Sequence, residues 1–445
     1  MPSKHCSLRQ RLLQFLHSPW AVGLLLLLAL AVRLLYAWVN GLHIMIVSDS
    51  TLYYESGLEF AKTGRISYAG YPTALIMPGT TVLLGLLAMV FPEGKTLMWA
   101  IQLCFVLIGT ITPYFMYKAA AVFLPKPWAL LAFVPYLLPA YAGISNYLLT
   151  EVPFYLFFAM ALYGLFMMGE RQELRWAVLF GVSVLGALLF RANILMFAGF
   201  GLLWIVIRGN HSWKEVFKRV LIVGGILLVF LLPWTIRNYV YYQDFIPVTY
   251  GLGNPVMEGT YYGDCCPIED RLDMNIPHQQ FREQYADYLD EAGQPLDPDQ
   301  GEYLHHMLVK RIGDYRLGEW FRQEPLHFLK TYLWTKPRLI LNWNWYYHEF
   351  MGLSYAAMHS LRLVNFGLCA AAVLLAFIRK RFRKLVVFLT GAYFVSLLSV
   401  AYALPIDRYA ESIMPYRFML ACIGTCLLAE FACCVLRRGK KEERI

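Results

Sequence analysis

Long apolar segments follow one another along most of the chain and are separated by short polar connections. The segments that approach the length of a membrane span cover roughly residues 19–39, 76–91, 97–122, 128–146, 152–168, 176–190, 194–207, 220–236, 355–378, 385–403 and 415–436. A helix needs about 20 residues to cross the hydrocarbon core of a bilayer. In lipid a helix is also the economical form for such a segment, because it satisfies its own backbone hydrogen bonds. The pattern therefore predicts an all-α polytopic membrane protein.

The basic residues between these segments decide the topology. The segment 76–91 has only about 16 residues, which is short for a span. If it does not cross, one side of the membrane receives all of the basic clusters, at 4–11, 118–126, 171–175, 208–219, 379–384 and 437–444. Basic loops stay in the cytoplasm, so we predict about ten spans with both termini inside. Residues 76–91 then form a re-entrant or surface-lying segment of a first outer loop at 40–96.

The composition shows how charge is distributed between the two predicted sides of the membrane. The 445 residues are 58% hydrophobic and carry a formal net charge of +9. That positive surplus lies in the predicted cytoplasmic loops, so we expect no nucleic-acid partner. In contrast, the polar stretch 238–352 holds 17 of the 30 acidic residues and 9 lysines and arginines. Helical spacing within it predicts a small, mainly helical extracytoplasmic domain. The chain divides into a transmembrane module at 1–237, this domain at 238–352, and C-terminal transmembrane helices with a basic tail at 353–445.

Two acidic residues lie at predicted outer ends of apolar segments. Asp49 precedes a helical pattern that runs to Gly64, and Glu151 begins a span. The structural alternatives are that Asp49 or Ser48 caps a helix and that Glu151 favours the helix dipole. The functional interpretation is a general base at the membrane surface, since acids at membrane depth are candidates for function.

Three arginines end or interrupt apolar runs on the same predicted face. They are Arg191, Arg237 and Arg408. Each alone could extend its side chain to lipid headgroups, and Arg408 could pair with Asp407. Together, and beside two acids, they favour an anionic ligand, because guanidinium groups bind phosphate in a fixed two-pronged geometry.

An aromatic cluster precedes one of the C-terminal spans and is formed by Trp343, Trp345, Tyr346 and Tyr347. Membrane interfaces are rich in Trp and Tyr, so anchoring is the structural interpretation. Stacking against a sugar is the functional alternative.

These elements resemble the GT-C superfamily of glycosyltransferases that use lipid-phosphate sugars. The closest resemblance is to bacterial relatives of the protein O-mannosyltransferases and to the lipid A aminoarabinose transferase. The residues that carry it are Asp49 with Tyr53 and Gly64, Pro78, Asn146 to Pro153, Arg191, Pro233 to Asn238, Phe245 to Pro247, Gly251, and Arg408-Tyr409 with Pro415. Two positions depart from the family pattern. Ser50 follows Asp49 where several relatives have a glutamate, and Ala192 stands where a proline often follows the arginine.

The resemblance implies an inverting transfer of one sugar from a polyprenyl-phosphate donor to an extracytoplasmic acceptor. The acceptor would be a glycan, lipid or protein of the cell envelope, and the enzyme a multi-pass protein of a bacterial plasma membrane. The module at 1–237 would then be catalytic, with Asp49 as base and Glu151 as the second catalytic residue, which would orient the acceptor or hold a divalent cation with Asp49.

The remaining expectations concern ligands. Arg237 and Arg408, and next Arg191, are expected to bind the donor phosphate. Contacts with substrate are expected from Tyr53, Tyr54, Asn146 and Tyr409. Carboxylate oxygens also accept Mg²⁺ or Mn²⁺, so a divalent cation held by Asp49 and Glu151 is an open alternative that the chemistry does not require.

Two other functions compete with this interpretation. A transporter or flippase of envelope precursors is one, but the chain shows no convincing repeated halves of the kind common in transporters. A polysaccharide polymerase or ligase of the other GT-C architecture is the second. Such an enzyme would not carry its acid just after the first span.

The predicted topology can be tested with reporter fusions. Fusions after Pro125 and after Arg175 should report cytoplasm, and a fusion near Asp290 should report the outside, because basic loops are retained inside. An outside signal after Arg175 would contradict both the span count and the common face of the acids and arginines.

Overall fold

The computed structural model describes residues 8–47, 49–342 and 353–442. Within them the chain is almost entirely helical, and its only regular strands form one short hairpin. The predicted all-α polytopic class is confirmed. The aromatic cluster at 343–347 and Ser48 lie outside the described residues.

The N-terminal half contains twelve α-helices within its described residues. These are α1 (Leu8–His17), α2 (Pro19–Asn40), α3 (Ser50–Thr63), α4 (Gly79–Val90), α5 (Lys95–Ala121), α6 (Lys126–Ala129), α7 (Val134–Leu137), α8 (Pro139–Gly143), α9 (Glu151–Glu170), α10 (Arg175–Leu188), α11 (Ile194–Arg208) and α12 (Trp213–Tyr242). Short 3₁₀ turns cover Leu130–Phe133 and Ile144–Asn146. Strands β1 (Ser67–Tyr68) and β2 (Tyr71–Pro72) pair antiparallel.

The polar stretch after α12 is also mainly helical. It contains α13 (Gly253–Gly259), α14 (Asn275–Gln284), α15 (Gly301–Gln323), α16 (Pro325–Lys330) and α17 (Lys336–Asn342). A π-helical turn at Thr331–Thr335 joins the last two, and 3₁₀ turns cover Glu269–Arg271, Ala286–Tyr288 and Pro298–Gln300. The chain then ends with α18 (Tyr355–Arg379), α19 (Arg383–Tyr402), α20 (Asp407–Glu411) and α21 (Met414–Glu442).

Judged by helix length and composition, the structure has fewer candidate spans than the sequence predicts. In the described part of the chain, seven helices are long and apolar enough to cross a membrane, and eight if the bent pair Lys126–Leu137 and Pro139–Asn146 is one span. Helices α10 and α11 are apolar but have only 14 and 15 residues. The count of ten therefore stays a prediction. The segment 76–91 contains the 12-residue α4, which is too short for a straight span. The membrane depth of this segment also stays a prediction.

A break in the fourth apolar segment shapes the outer surface. The two halves of the segment meet at an angle of 63° at Leu138, whose backbone is extended because Pro139 follows it. A residue before proline avoids the helical region for steric reasons. The bend directs the chain toward Asn146, where the second acidic loop begins.

Backbone hydrogen bonds then join the two acidic loops. Met45 N donates to Asn146 O (2.7 Å), and Leu148 N donates to Met45 O (3.0 Å). The Ser50 hydroxyl donates to Leu148 O (2.7 Å). The residues before Asp49 are therefore fixed against those before Glu151.

Candidate functional site

Asp49 occupies the N-cap position of α3, but its carboxylate does not cap that helix. Instead, Oδ2 accepts a hydrogen bond from Arg408 Nη1 at 2.8 Å. The Asp49 side chain remains 49% exposed. The capping alternative therefore does not describe the contacts of this side chain, which presents an accessible carboxylate.

Glu151 is the first residue of α9 and its side chain is fully buried. One of its oxygens, Oε1, accepts hydrogen bonds from Arg191 Nη1 (2.5 Å) and Arg408 Nε (2.8 Å). Its position in the first helical turn agrees with the dipole alternative. Two guanidinium partners show that it also compensates buried positive charge, which an unpaired carboxylate in this position could not sustain.

Arg408 connects the two acids. It lies on the short helix α20 between α19 and α21, and its third contact is Nη2 to the hydroxyl of Tyr53 at 3.4 Å. Burial disfavours its charge, but Glu151 and Asp49 more than offset this and raise its pKa above the usual value. Arg408 is therefore a permanent cation between two carboxylates.

Tyr53 and Tyr409 add aromatic walls. Burial, only partly opposed by the charge of Arg408, raises the pKa of Tyr53 to about 12, so this residue is a neutral phenol at physiological pH. The Arg191 guanidinium lies 5.5 Å from the centre of the Tyr409 ring, which is within the range of a cation–π contact.

A cavity of about 410 Å³ opens beside these groups. Asp49, Tyr53, Arg191, Arg408 and Tyr409 all line it. Five residues from three separate segments of the sequence therefore meet at one cavity, while Glu151 lies buried behind its wall.

Arg237 is not part of this group. Its guanidinium donates to the carbonyl oxygens of Thr73 (2.9 Å) and Ile66 (2.8 Å), and it lies 4.9 Å from the ring centres of Trp234 and Tyr241. It lines a second, larger cavity of about 1040 Å³ that shares no lining residue with the first among the described residues. Arg237 holds the first outer loop against α12.

Two other predicted substrate contacts also lie outside the cavity. Asn146 is buried, and its side-chain oxygen accepts a hydrogen bond from Gln102 Nε2 at 2.8 Å. Tyr54 is half-buried and packs on the main hydrophobic core. Neither lines the cavity beside Asp49. Substrate contact by either side chain remains a prediction and would require a different arrangement of the loop.

The sequence analysis missed His306. This residue of α15 lines the cavity, and its Nδ1 has no hydrogen-bond partner among the described residues. Burial, reinforced by the neighbouring His305, lowers its pKa to about 4, so the imidazole is neutral at physiological pH. The only signal was the adjacent His305 and His306 within a helical pattern, which does not by itself indicate which helix face points to a site.

The two acids do not fit a divalent cation as they stand. Arg408 already bonds both carboxylates, and no cluster of three or more His, Cys, Asp or Glu side chains suited to a metal occurs within the described ranges. A metal between Asp49 and Glu151 would have to displace a guanidinium group.

The chain resembles known proteins both in sequence and in fold. Residues 77–236 match the family model of dolichyl-phosphate-mannose-protein mannosyltransferases. The archaeal oligosaccharyltransferase AglB from Archaeoglobus fulgidus superimposes with a TM-score of 0.57 and 12% identity over 96% of this chain and 52% of that one. The chain has the fold of the GT-C glycosyltransferases. The resemblance stated from the sequence is confirmed.

The similarity covers only part of the length of each solved structure. The chain spans about half the length of the archaeal enzyme. ArnT from Cupriavidus metallidurans matches with a TM-score of 0.43 and 13% identity over 92% of this chain and 78% of that one. No curated protein sequence matches this chain.

The different burial of the two acids gives a testable difference in stability. Glu151→Gln should lower the free energy of unfolding by roughly 3–5 kcal/mol, because it leaves two buried guanidinium groups with one carboxylate fewer. Asp49→Asn is the matched control, and its half-exposed site should change stability by less than about 1 kcal/mol. Thermal unfolding of the purified variants measures both. Equal melting temperatures for the two variants would contradict the structural role of Glu151.

Proposed function

We propose that this protein is an inverting glycosyltransferase that transfers one sugar from a polyprenyl-phosphate donor to an acceptor of the cell envelope. The observation that supports this most is the cavity wall formed by Asp49, Arg408 and Arg191, with the buried Glu151 behind it. It combines an accessible base with cations suited to a departing phosphate. The AglB structure that shares the fold is a complex with an inhibitory peptide and a dolichol-phosphate, which supports a lipid-phosphate carrier here.

Asp49 is the proposed general base and Glu151 is not. Asp49 is half exposed on the cavity, whereas Glu151 has no exposed side-chain surface. A base must come within hydrogen-bond reach of the proton that it removes. Asp49 would take the proton from an acceptor hydroxyl or amine as that atom attacks the anomeric carbon, and the bond from this carbon to the phosphate oxygen breaks on the opposite side.

Proton transfer and phosphate departure can assist each other through Arg408. In the resting site, the charges of Asp49 and Glu151 balance those of Arg191 and Arg408. When Asp49 takes up a proton, Arg408 Nη1 loses an anionic partner and the group gains one positive charge. The leaving lipid phosphate gains one negative charge in the same step. An interaction that strengthens only as this charge develops lowers the barrier.

The site is proposed to face the extracytoplasmic side of a plasma membrane. The basic clusters of the sequence belong to the opposite side by the positive-inside rule. The cavity also includes His306, which belongs to the polar stretch between α12 and α18 that we assign to the outer domain. Envelope glycans, lipids and proteins are therefore the acceptor classes, and a bacterial cell envelope is the proposed setting.

The base assignment can be tested with Asp49→Asn. This change keeps the size of the side chain but removes its capacity to accept a proton, so sugar transfer should fall by about 10²–10⁴-fold while the melting temperature stays close to that of the wild type. Transfer from a polyprenyl-phosphate sugar in nanodiscs is the measurement. His306→Gln is the control, because it removes a second side chain of the cavity that can accept a proton. A loss confined to the histidine variant would assign the base to His306 and reject Asp49.

The position of the donor phosphate can be tested by comparing arginines. Arg191→Gln should reduce kcat/KM for the lipid donor by roughly 10- to 100-fold, the usual contribution of a hydrogen bond to a charged group. Arg191→Lys should recover only part of it, since an ammonium group lacks the two-pronged geometry. Arg237→Gln, whose side chain lines the second cavity, should change it much less. A larger loss of kcat/KM in Arg237→Gln than in Arg191→Gln would place the donor phosphate beside Arg237, as the sequence alone suggests.

A further inference from the structure

A polar stripe runs along one face of α18 inside a helix apolar enough to span the membrane. It consists of His359, Arg362, Asn365 and Cys369, spaced by three or four residues. Such spacing puts the four side chains on the same face. His359 is exposed, whereas Arg362 and Asn365 are buried. The stripe therefore leads from the surface of the protein into the helix bundle.

A second buried arginine faces this stripe from α21. The Arg417 side chain is 2% exposed, and its guanidinium lies 3.8 Å from the centre of the Phe366 ring on α18. Its Nη1 contacts the sulfur of Met414 at 3.5 Å. Among the residues that the structure describes, its Nε and Nη2 have no hydrogen-bond partner, and neither has Nε of Arg362.

In the described part of the chain, no carboxylate compensates these two cations. Neither Arg362 nor Arg417 forms an ion pair with any residue that the structure describes. The two are also near enough for their charges to repel. Uncompensated charge within a membrane span is expensive and usually serves a function. Arg408, buried to a similar degree, has two carboxylates.

We propose that α18, α19 and α21 form a binding site for the phosphate headgroup of a membrane lipid. The Nε and Nη2 groups of Arg417 match phosphate oxygens, which a guanidinium group binds through two parallel hydrogen bonds. Arg362 adds its Nε, while its Nη1 donates to Asn342 O and its Nη2 contacts His359 Nδ1. The buried hydroxyl of Tyr393 on α19 lies beside Arg417 and can donate to the same anion. The anion therefore finds three side chains from three helices.

The location of the site favours a membrane lipid as the source of the phosphate group. The arginines belong to apolar helices, and the neighbouring Leu363 and Val364 of α18 are exposed as on a lipid-facing surface. A headgroup can enter past the exposed His359 while its chains stay in the bilayer. None of these residues lines the cavity beside Asp49, so the site does not depend on the proposed reaction.

Lipid binding to the delipidated full-length protein tests this site. Phosphatidic acid should bind and raise the melting temperature, whereas diacylglycerol, which lacks the phosphate, should not. Arg417→Met and Arg362→Met should each weaken phosphatidic acid binding by about tenfold or more, since hydrogen bonds to a charged group contribute at least that much. Native mass spectrometry gives the bound fraction.

The matched control is Arg338→Met, which removes an exposed arginine of α17 and should leave binding unchanged. Without lipid, Arg417→Met should melt at or above the wild-type temperature, because an apolar side chain replaces an uncompensated buried charge. Equal binding by wild type and both α18–α21 variants would overturn the site. A lower melting temperature of lipid-free Arg417→Met, with binding intact, would assign the arginine to packing alone. Equal stabilisation by inorganic phosphate would exclude a lipid-specific site.

Discussion

One buried carboxylate, that of Glu151, determines how the candidate site is assembled. It accepts hydrogen bonds from Arg191, between α10 and α11, and from Arg408, on α20. Arg408 is 257 positions away in the sequence, so this contact fastens the C-terminal helices to the N-terminal ones. Removing one partner of a buried ion pair is far more costly than the pair is favourable. The three side chains must therefore come together for any of them to be buried.

Burial also separates the roles of two chemically similar acids. Glu151 is enclosed and has both its guanidinium partners at one oxygen, whereas Asp49 bonds Arg408 and faces the cavity. The joined backbones at Met45 and Tyr147 set the spacing between them. An enclosed carboxylate cannot meet a substrate proton, and an exposed one contributes little to stability. The same pairing thus leaves one acid enclosed and the other accessible from the cavity.

Local patterns in the sequence predicted what depends on local forces. Apolar lengths gave the helical membrane class, and the helix after Asp49 does end at Gly64, whose positive φ of 69° suits glycine. The approach of Asp49, Glu151 and Arg408 was suggested by their shared face and family resemblance, but their bonding pattern was not. Which side chain donates a hydrogen bond to which oxygen depends on the packing of segments that are hundreds of residues apart. Hydrophobic periodicity does not encode that packing.

Two predicted site residues lie away from the cavity beside Asp49 for the same physical reason. Arg237 fits the pattern of an arginine at a helix end as well as Arg408 does, but nearby carbonyl groups of the first loop satisfy it. Asn146 likewise serves a loop contact rather than lining the cavity. A single sequence cannot show whether a polar group at a helix end will find a protein partner. That depends on the tertiary packing of the loop against it.

Charge compensation therefore distinguishes three kinds of arginine in this chain. Arg237 is satisfied by neutral carbonyl groups and stabilises a loop. Arg408 is neutralised by two acids, one of which takes up a proton in the proposed reaction. Arg417 is buried without an acid partner among the described residues. An enzyme that must release its lipid product gains from the second arrangement, because the resting cluster does not hold an anion permanently. The third arrangement suits a ligand that stays, since only a bound anion balances its charge.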